Sequence, residues 1–281
     1  MTSTRCRPGP AWIITPGLHG NRFASAHHSG AAVAVVDIED SVAPADKQSA
    51  RTASQTFFTP PNPPCTLGIR INSLTTLDGI KDLAALAAYT TRPDLILVPK
   101  VESPRDIELV AACLDAPDYT PQIWALIESP RAFDALPAIT RAPRLGGLIF
   151  GSADYAATLR CDLGWSALHY ARSALVNAAA AANLPVIDAP TWKLDDPDLL
   201  LRDAQRAREL GFHGKGCVHP RHVHLINEVF TPTTEEIAQA HALLAAADAS
   251  GGMVTTVDGQ MRGAPFFQAA REFIAETDRP S

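Results

Sequence analysis

Residues 94–114 read DLILVPKVESPRDIELVAACL, and this stretch decides the fold. A short apolar run closes on Pro99 and Lys100, and the segment after Pro104 carries apolar residues at helical spacing. Near-continuous apolar strands are typical of parallel sheets that are covered on both faces. The stretch therefore predicts one β/α unit, a buried strand followed by a helix.

The same unit recurs along the whole chain. The other apolar runs lie at 11–17, 32–40, 66–73, 122–129, 145–154, 184–191 and 214–220, and further helical stretches lie at 77–89 and 167–183. Eight strands that alternate with helices in 281 residues predict an α/β fold, a (β/α)8 TIM barrel. An open, doubly wound sheet is the alternative, but no GxGxxG motif follows the first strand.

The C-terminal segment exceeds what a barrel requires. Thr233 and Glu236 form a capping box at the start of an Ala/Leu-rich helix, and a Gly-rich break at 251–252 precedes a last helical stretch. We expect a barrel domain over 1–230. Residues 231–281 are expected to form a C-terminal helical lid extension that packs on a neighbouring subunit.

Composition excludes several classes of protein. The net charge is −6 with no long basic run, which argues against nucleic acid as a partner. No apolar stretch reaches the roughly 18 residues of a membrane helix. The five cysteines are odd in number and form no CxxC pair, which predicts reduced thiols in a cytoplasmic protein. Cys217 lies in a strand-like run and is interpreted as a small core residue.

Polar residues end almost every predicted strand. In a barrel of this type the carboxyl ends of all strands line one mouth, where active sites lie. We therefore expect these side chains to share a polar pocket. They are Asp37, Glu39 and Asp40 on the second strand, Arg70 and Asn72 on the third, Lys100 and Glu102 on the fourth, Glu128 on the fifth, Asp154 on the sixth, Asp188 on the seventh and His219 on the eighth.

Glu128 and Asp154 are the candidate metal ligands. They end strands five and six, and neighbouring strands lie roughly 4.8 Å apart. Two carboxylates that leave positions open for water and substrate oxygens suit Mg²⁺, whereas zinc prefers His and Cys in tetrahedral sites. The alternative is that both residues only cap the helices that follow.

Three other features allow two interpretations each. Arg70 can hold a substrate carboxylate bidentately, or form a salt bridge to one of the acids of strand two. The segment HPRHVH at 219–224 brings three His together, but its spacing fits no standard ligand set. Lys100 could serve as a Schiff-base lysine, but Glu102 nearby favours a salt bridge that keeps it protonated.

Taken together, the motifs resemble those of the citrate lyase beta-subunit-like family within the HpcH/HpaI aldolase superfamily. The matching stretches span nearly the whole chain in the family's order: VVDIEDSVAPADKQSAR, IRINS, LVPKVESP, ALIESPRAF, IFGSADY, GFHGKGCVHPRHV, NEVFTPTTEEIAQAHALL and DGQM–AP. The resemblance implies a TIM barrel that cleaves or forms carbon–carbon bonds next to a thioester or 2-oxo acid. It also implies a homo-oligomer, a trimer or hexamer, and coenzyme A as a possible carrier of the substrate.

The resemblance also assigns roles to individual residues. Glu128 and Asp154 would bind Mg²⁺, and Arg70 would bind the substrate carboxylate. Glu39 and Asp40 would hold metal-bound waters and Arg70. The substrate would further contact Arg22 and the IFGSADY stretch, at Gly151, Ser152 and Ala153.

Two positions depart from the family's pattern. The first loop reads PGLHGNRF, so His19 replaces the family's first Arg, while Arg22 matches the second. The tail reads DGQMRGAP, so Arg262 and Gly263 stand where the family has an acidic residue that reaches a neighbouring subunit. Because glycine cannot donate a proton, we expect an altered acid/base set, with His19 as the replacement.

The sequence therefore predicts a Mg²⁺-dependent carbon–carbon lyase or aldolase that acts on a small molecule, a 2-oxo acid or an acyl thioester. Two alternatives remain at this point. One is an acyl thioester hydrolase on the same metal scaffold, and the other is a non-catalytic homologue that binds an acyl thioester.

Overall fold

The computed structural model of the protein describes residues 9–60 and 62–277. Eight parallel strands close into a barrel in chain order, each hydrogen-bonded to the next and the eighth to the first. The strands are β1 Ala11–Pro16, β2 Val33–Asp37, β3 Thr66–Arg70, β4 Leu95–Val98, β5 Gln122–Ile127, β6 Leu145–Phe150, β7 Val186–Asp188 and β8 Gly214–Cys217. The predicted TIM barrel is confirmed.

Helices follow the strands and cover the outside of the barrel. They are α1 Phe23–His27, α2 Lys47–Ser54, α3 Leu77–Ala87, α4 Pro104–Leu114, α5 Pro130–Ile139, α6 Ser152–Leu159, α7 Trp165–Ala181, α8 Pro197–Leu210 and α9 Arg221–Phe230. Local sequence sets where several begin. Ser103 and Asp106 make a capping box ahead of Pro104, and the Ser129 side chain accepts from the Ala132 N–H ahead of Pro130.

The barrel interior is apolar and densely packed. Trp12 and Trp124, whose ring centroids lie 4.5 Å apart, fill its N-terminal part. The interior side chains above and around them are Val33, Val35, Leu95, Leu97, Leu126, Ile149 and Ile187. A larger apolar layer lies between the outer faces of the strands and the helices. Because strand residues alternate between these layers, each position has a defined side.

The chain divides into two compact units, one that ends at Phe230 and one that begins at Thr231. The second unit contains α10 Thr234–Ala249, a hairpin of β9 Thr255–Val257 and β10 Gln260–Arg262, and α11 Ala264–Thr277. The predicted capping box of Thr233 and Glu236 is present at the start of α10. Among the described residues, no helix has the length and apolar content needed to cross a bilayer.

Candidate active site

A cavity of about 430 Å³ opens at the carboxyl ends of the barrel strands. Its rim is charged and its floor is the apolar barrel interior. The charged lining residues in the described part of the chain are Arg22, Asp37, Asp40, Arg70, Glu128 and Asp154. The cavity therefore coincides with the mouth at which the sequence predicts a site.

Arg70, the last residue of β3, is held by acids. Its Nε and Nη2 donate to the two carboxylate oxygens of Asp37 at 2.7 Å each, and Asp37 ends the neighbouring strand β2. Its Nη1 lies 3.2 Å from Glu39 Oε2 and 3.6 Å from Asp40 Oδ2. Burial disfavours the charge on Asp37, but the Arg70 guanidinium outweighs it and the pKa of Asp37 falls. Arg70 thus pairs with Asp37 at the end of β2 and with Glu39 and Asp40 just after it, so its guanidinium is largely occupied.

Lys100 links two of the acids. Its Nζ donates to Glu39 Oε1 at 2.9 Å and lies 3.8 Å from Asp154 Oδ2. Burial opposes the charge on Lys100, but the hydrogen bond to Glu39 outweighs it, so the pKa of Lys100 is raised. Burial also raises the pKa of Glu39, against the attraction of Arg70 and Lys100. Lys100 is therefore an ammonium at neutral pH and not a Schiff-base nucleophile.

Glu128 lies immediately after β5 and is buried. Its Oε1 accepts from the backbone N–H of Lys100 at 2.8 Å. Lys100 adopts a left-handed backbone conformation, with φ of +54°. Burial, together with the charges of Glu39 and Asp154, raises the pKa of Glu128 to about 8. No Lys, Arg or His in the described part of the chain forms an ion pair with Glu128. A bound metal ion would balance the charge of its carboxylate.

Gly151 makes room for Glu128. It follows β6 beside β5, and its N–H donates to the carbonyl of Ile127 at 2.9 Å. A Cβ on Gly151 would meet the Glu128 side chain and lie 2.5 Å from Oε2. Any side chain at 151 would therefore displace the carboxylate, which explains glycine at this position.

Asp154 is placed differently from the prediction. Strand β6 ends at Phe150, and Asp154 lies in the first turn of α6, which begins at Ser152. The interpretation of Asp154 as a strand end is wrong, because the apolar run LGGLIF stops before it. The helix turn still carries Asp154 to the wall of the same cavity as Glu128.

The donor set fits a hard divalent cation. Asp154 Oδ2 and Glu39 Oε2 are buried and accept no hydrogen bond from the described residues, although Lys100 Nζ lies 3.8 Å from the first and Arg70 Nη1 lies 3.2 Å from the second. Buried carboxylate oxygens without hydrogen bonds are costly, and a bound cation offsets that cost. The described residues contain no group of three or more His, Cys, Asp or Glu that could hold a metal. Glu128 and Asp154 would thus supply two oxygens and leave the other positions to water and substrate, which suits Mg²⁺.

The other predicted site residues divide into two groups. Arg22, in a short 3-10 turn after β1, lines the cavity, as do Gly151, Ser152 and Ala153. His19 is exposed and does not line the cavity. The structure therefore brings Arg22 to the carboxylates but does not bring His19 there.

Asp188 is not at the mouth, contrary to the strand-end prediction. It is fully buried and accepts from Arg172 Nε at 2.8 Å and from Lys215 Nζ at 2.7 Å. Its strand neighbour Ile187 points into the barrel, so Asp188 points outward to α7. Asp188 is a structural ion-pair residue behind the barrel wall.

The predicted partner of Lys100 also requires correction. Glu102 accepts from the Ser129 hydroxyl at 2.6 Å and lies 4.0 Å from Arg131, so the salt bridge of Lys100 runs to Glu39 instead. His219 is exposed and stays outside the cavity lining. Burial raises the pKa of Cys217 to about 12, which agrees with its interpretation as a core residue.

Trp192 is a cavity residue that the sequence did not predict. Trp192, in the loop after β7, lines the cavity and its Nε1 donates to Ser152 Oγ at 3.1 Å. It is half-exposed in an otherwise polar stretch, APTWKLDD. A large aromatic residue in a polar loop after a barrel strand is the sequence feature that could have predicted a cavity residue here.

The family model of the HpcH/HpaI aldolase/citrate lyase proteins matches residues 14–220, and that of the carbon–carbon bond lyases of the TIM-barrel fold matches residues 166–277. An eight-stranded barrel with paired carboxylates at its mouth agrees with this class. The chain belongs to the HpcH/HpaI aldolase/citrate lyase family.

Relatives cover almost the whole chain. A (3S)-malyl-CoA thioesterase of Cereibacter sphaeroides is 30% identical over 98% of this chain and 96% of its own length. An L-malyl-CoA/beta-methylmalyl-CoA lyase of the same species is 31% identical over 87% and 86%. The crystal structure of CitE from Mycobacterium tuberculosis in complex with magnesium, acetoacetate and coenzyme A is 28% identical, with a TM-score of 0.82 over 97% and 99%.

These findings confirm the predicted family and the predicted class, a carbon–carbon lyase of the citrate lyase and malyl-CoA lyase type. The roles of individual residues remain predictions.

Proposed function

We propose that the protein is a Mg²⁺-dependent lyase that cleaves or forms the carbon–carbon bond between a 2-oxo acid and an acyl thioester fragment. One observation carries the proposal. Glu128 and Asp154 face one cavity, with a buried oxygen on Asp154 that accepts no hydrogen bond from the described residues and a pKa of Glu128 raised to about 8. Such a pair is arranged for a cation rather than for the protein's own stability.

The bound ion would be held by Glu128 and Asp154. It would supply Lewis-acid stabilisation of the negative charge that develops on the substrate oxygens. Lys100 stays protonated beside Asp154 and adds positive charge at the same edge of the site. The magnesium in the CitE complex supports this assignment by analogy.

The remaining charged residues position the substrate. Asp37 and Glu39 fix Arg70 on the barrel rim, while Asp40, with 56% of its side chain exposed, presents a carboxylate to the cavity. No described carboxylate forms an ion pair with Arg22, which also lines the cavity. Arg22 is therefore the cation best able to bind an anionic group of the substrate, a carboxylate or a phosphate of the thioester carrier.

Product analysis tests the reaction. The purified protein with Mg²⁺ and malyl-CoA or citramalyl-CoA should release glyoxylate or pyruvate, detected as the hydrazone. The reaction should stop on addition of EDTA and resume with excess Mg²⁺. Absence of any 2-oxo acid from every hydroxyacyl thioester tried would contradict the proposal.

Hydrolysis of the thioester is the second candidate. It is favoured by one finding, the similarity to a (3S)-malyl-CoA thioesterase over 98% of the chain. A hydrolase releases free coenzyme A thiol with the hydroxy acid intact, whereas a lyase gives a 2-oxo acid and leaves the thioester in the second product. A thiol assay run beside the hydrazone assay separates the two. A protein that binds Mg²⁺ but yields neither product would be the non-catalytic homologue.

We also propose a cytoplasmic homo-oligomer, a trimer or hexamer, in which residues 231–281 cover a neighbouring subunit. Four cysteines, Cys65, Cys113, Cys161 and Cys217, are free thiols, and Cys6 lies outside the described residues. Light scattering coupled to gel filtration measures the mass of the assembly. A monomer at micromolar concentration would contradict this proposal.

A further inference from the structure

The floor of the active-site cavity is apolar. Below the charged rim, the cavity is lined by side chains of the barrel interior: Trp12, Ile14, Val35, Leu97, Leu126, Ile149 and Ile187. Strand β8 adds Gly216, which carries no side chain, beside the ring of Pro190. The cavity therefore has a charged end and an apolar end, as amphipathic ligands require.

No described charge reaches this floor. The lining cations are Arg22 and Arg70, and three acids occupy the Arg70 guanidinium. The indole N–H of Trp12 has no hydrogen-bond partner among residues 9–60 and 62–277, but the atom is fully buried. An apolar group would lie on this floor without loss, whereas a carboxylate there would lose its hydration without compensation.

We propose, on the basis of the function proposed above, that the preferred 2-oxo acid is a monocarboxylate with an aliphatic side chain longer than the methyl group of pyruvate. The charged end of such an acid, its carboxylate and oxo oxygen, belongs at the rim with Glu128, Asp154 and Arg22. Its side chain then lies over Leu126, Ile149 and Ile187. Pyruvate and glyoxylate leave that apolar surface uncovered.

The chain-length dependence of binding tests the proposal. Calorimetric titrations with saturating Mg²⁺ compare glyoxylate, pyruvate, 2-oxobutyrate, 2-oxopentanoate and 2-oxoglutarate. Each added methylene should strengthen binding by about fourfold, the effect of burying one methylene. 2-Oxoglutarate, which carries a second carboxylate at the far end, should bind at least about 100-fold more weakly than 2-oxopentanoate.

The outcomes separate the two proposals. Binding that peaks at glyoxylate or pyruvate, or binding of 2-oxoglutarate as tight as that of 2-oxopentanoate, would overturn the side-chain proposal and leave the lyase proposal intact. Failure of every 2-oxo acid to bind in a Mg²⁺-dependent way would overturn both.

Variants locate the effect in the floor. Leu126→Phe fills the space over which the aliphatic chain lies, so the ratio of 2-oxopentanoate to glyoxylate affinity should fall by about tenfold. Ile149→Phe, on the neighbouring strand, gives the same measurement if Leu126→Phe does not fold. The matched control is Leu77→Phe, at an exposed position of α3, which should keep the wild-type ratio. An unchanged ratio in both floor variants would overturn the proposal.

Discussion

Glu128 and Asp188 are carboxylates at the ends of two strands of the same barrel, yet their surroundings are opposite. Both oxygens of Asp188 accept from buried cations, Arg172 and Lys215, and these two cations lower its pKa against the effect of burial. Glu128 receives one backbone N–H and has acids for neighbours, so its pKa rises to about 8. A buried acid whose two oxygens both accept hydrogen bonds from cations of the protein is structural. A buried acid that lies beside other acids indicates a site for an external cation.

Glu128→Gln is expected to give the largest difference between the roles of Glu128 and Asp188. The amide keeps the shape but removes the charge, so Mg²⁺ binding should be lost and turnover should fall at least about 10³-fold. Calorimetry with Mg²⁺ and the 2-oxo acid assay measure the two effects. The control is Glu102→Gln, a nearby carboxylate that accepts from Ser129 instead. Turnover within tenfold of wild type in Glu128→Gln would remove the metal-ligand assignment.

Asp188→Asn should have the opposite profile. It leaves Arg172 and Lys215 buried without a counter-charge, so the free energy of unfolding should fall by about 3–5 kcal/mol. Mg²⁺ affinity of the folded protein should be unchanged. Chemical denaturation measures the loss, with Asp195→Asn as the control, since Asp195 pairs with Arg221 on the exposed surface. A loss of Mg²⁺ affinity without a loss of stability would place Asp188 in the site after all.

The stability of the protein should depend on pH in opposite ways through Glu128 and Asp188. The pKa of Glu128 is raised from 4.5 to about 8, so the folded state keeps a proton that the unfolded state releases. The stability that this proton contributes is complete below pH 4.5 and is lost as the pH rises towards 8, by up to about 5 kcal/mol without Mg²⁺. Asp188, whose pKa is lowered, contributes above the unfolded pKa of 3.8 and loses this as the pH falls.

Thermal melts from pH 3 to 9 measure both trends. Without Mg²⁺ the melting temperature should decline between pH 5 and 8, and either saturating Mg²⁺ or Glu128→Gln should flatten this decline. A decline that persists unchanged in Glu128→Gln would show that another group causes it.

The sequence predicted the barrel because each β/α unit carries its own signal. Helix α4 begins and ends as predicted, since Ser103 and Pro104 mark its start and the apolar run fixes its face. Side-chain direction was less predictable. Side chains along β7 alternate between the barrel interior and the helix layer, so Asp188 is predicted to face the helices only if Ile187 is known to face the interior. An error of one residue in this assignment exchanges the two directions.

Long-range partners explain the other errors. Lys100 and Glu39 are 61 residues apart, and only the barrel closure brings them together, so the sequence favoured the nearby Glu102 instead. The sequence placed Glu128 and Asp154 at the same cavity although it assigned the end of β6 incorrectly. Both the end of β5 and the first turn of α6 face the cavity. The sequence thus identified residues that line the cavity, while their pairing required the fold.

Gly151→Ala tests how closely the site is built around Glu128, with a smaller expected effect. The new methyl group would press on Glu128 Oε2, so Mg²⁺ affinity should fall about tenfold and stability by about 1–2 kcal/mol. Gly164→Ala is the matched control, because a Cβ there meets nothing within 4 Å. Calorimetry and thermal melts of both variants measure the difference. Equal affinities in the two would mean that Glu128 moves without consequence for the metal.

His19→Ala is expected to have the smallest effect, and it bears on the altered acid/base set. The sequence proposes His19 as a catalytic acid or base, but the side chain is exposed and does not line the cavity. His19→Ala should therefore leave kcat within about twofold. The comparison variant is Arg22→Ala. Because Arg22 lines the cavity, its loss should raise the KM by about tenfold, as the loss of a charged contact does. A kcat at least about 100-fold lower with unchanged folding would instead assign His19 to proton transfer. It would also mean that its loop closes over the carboxylates when substrate binds.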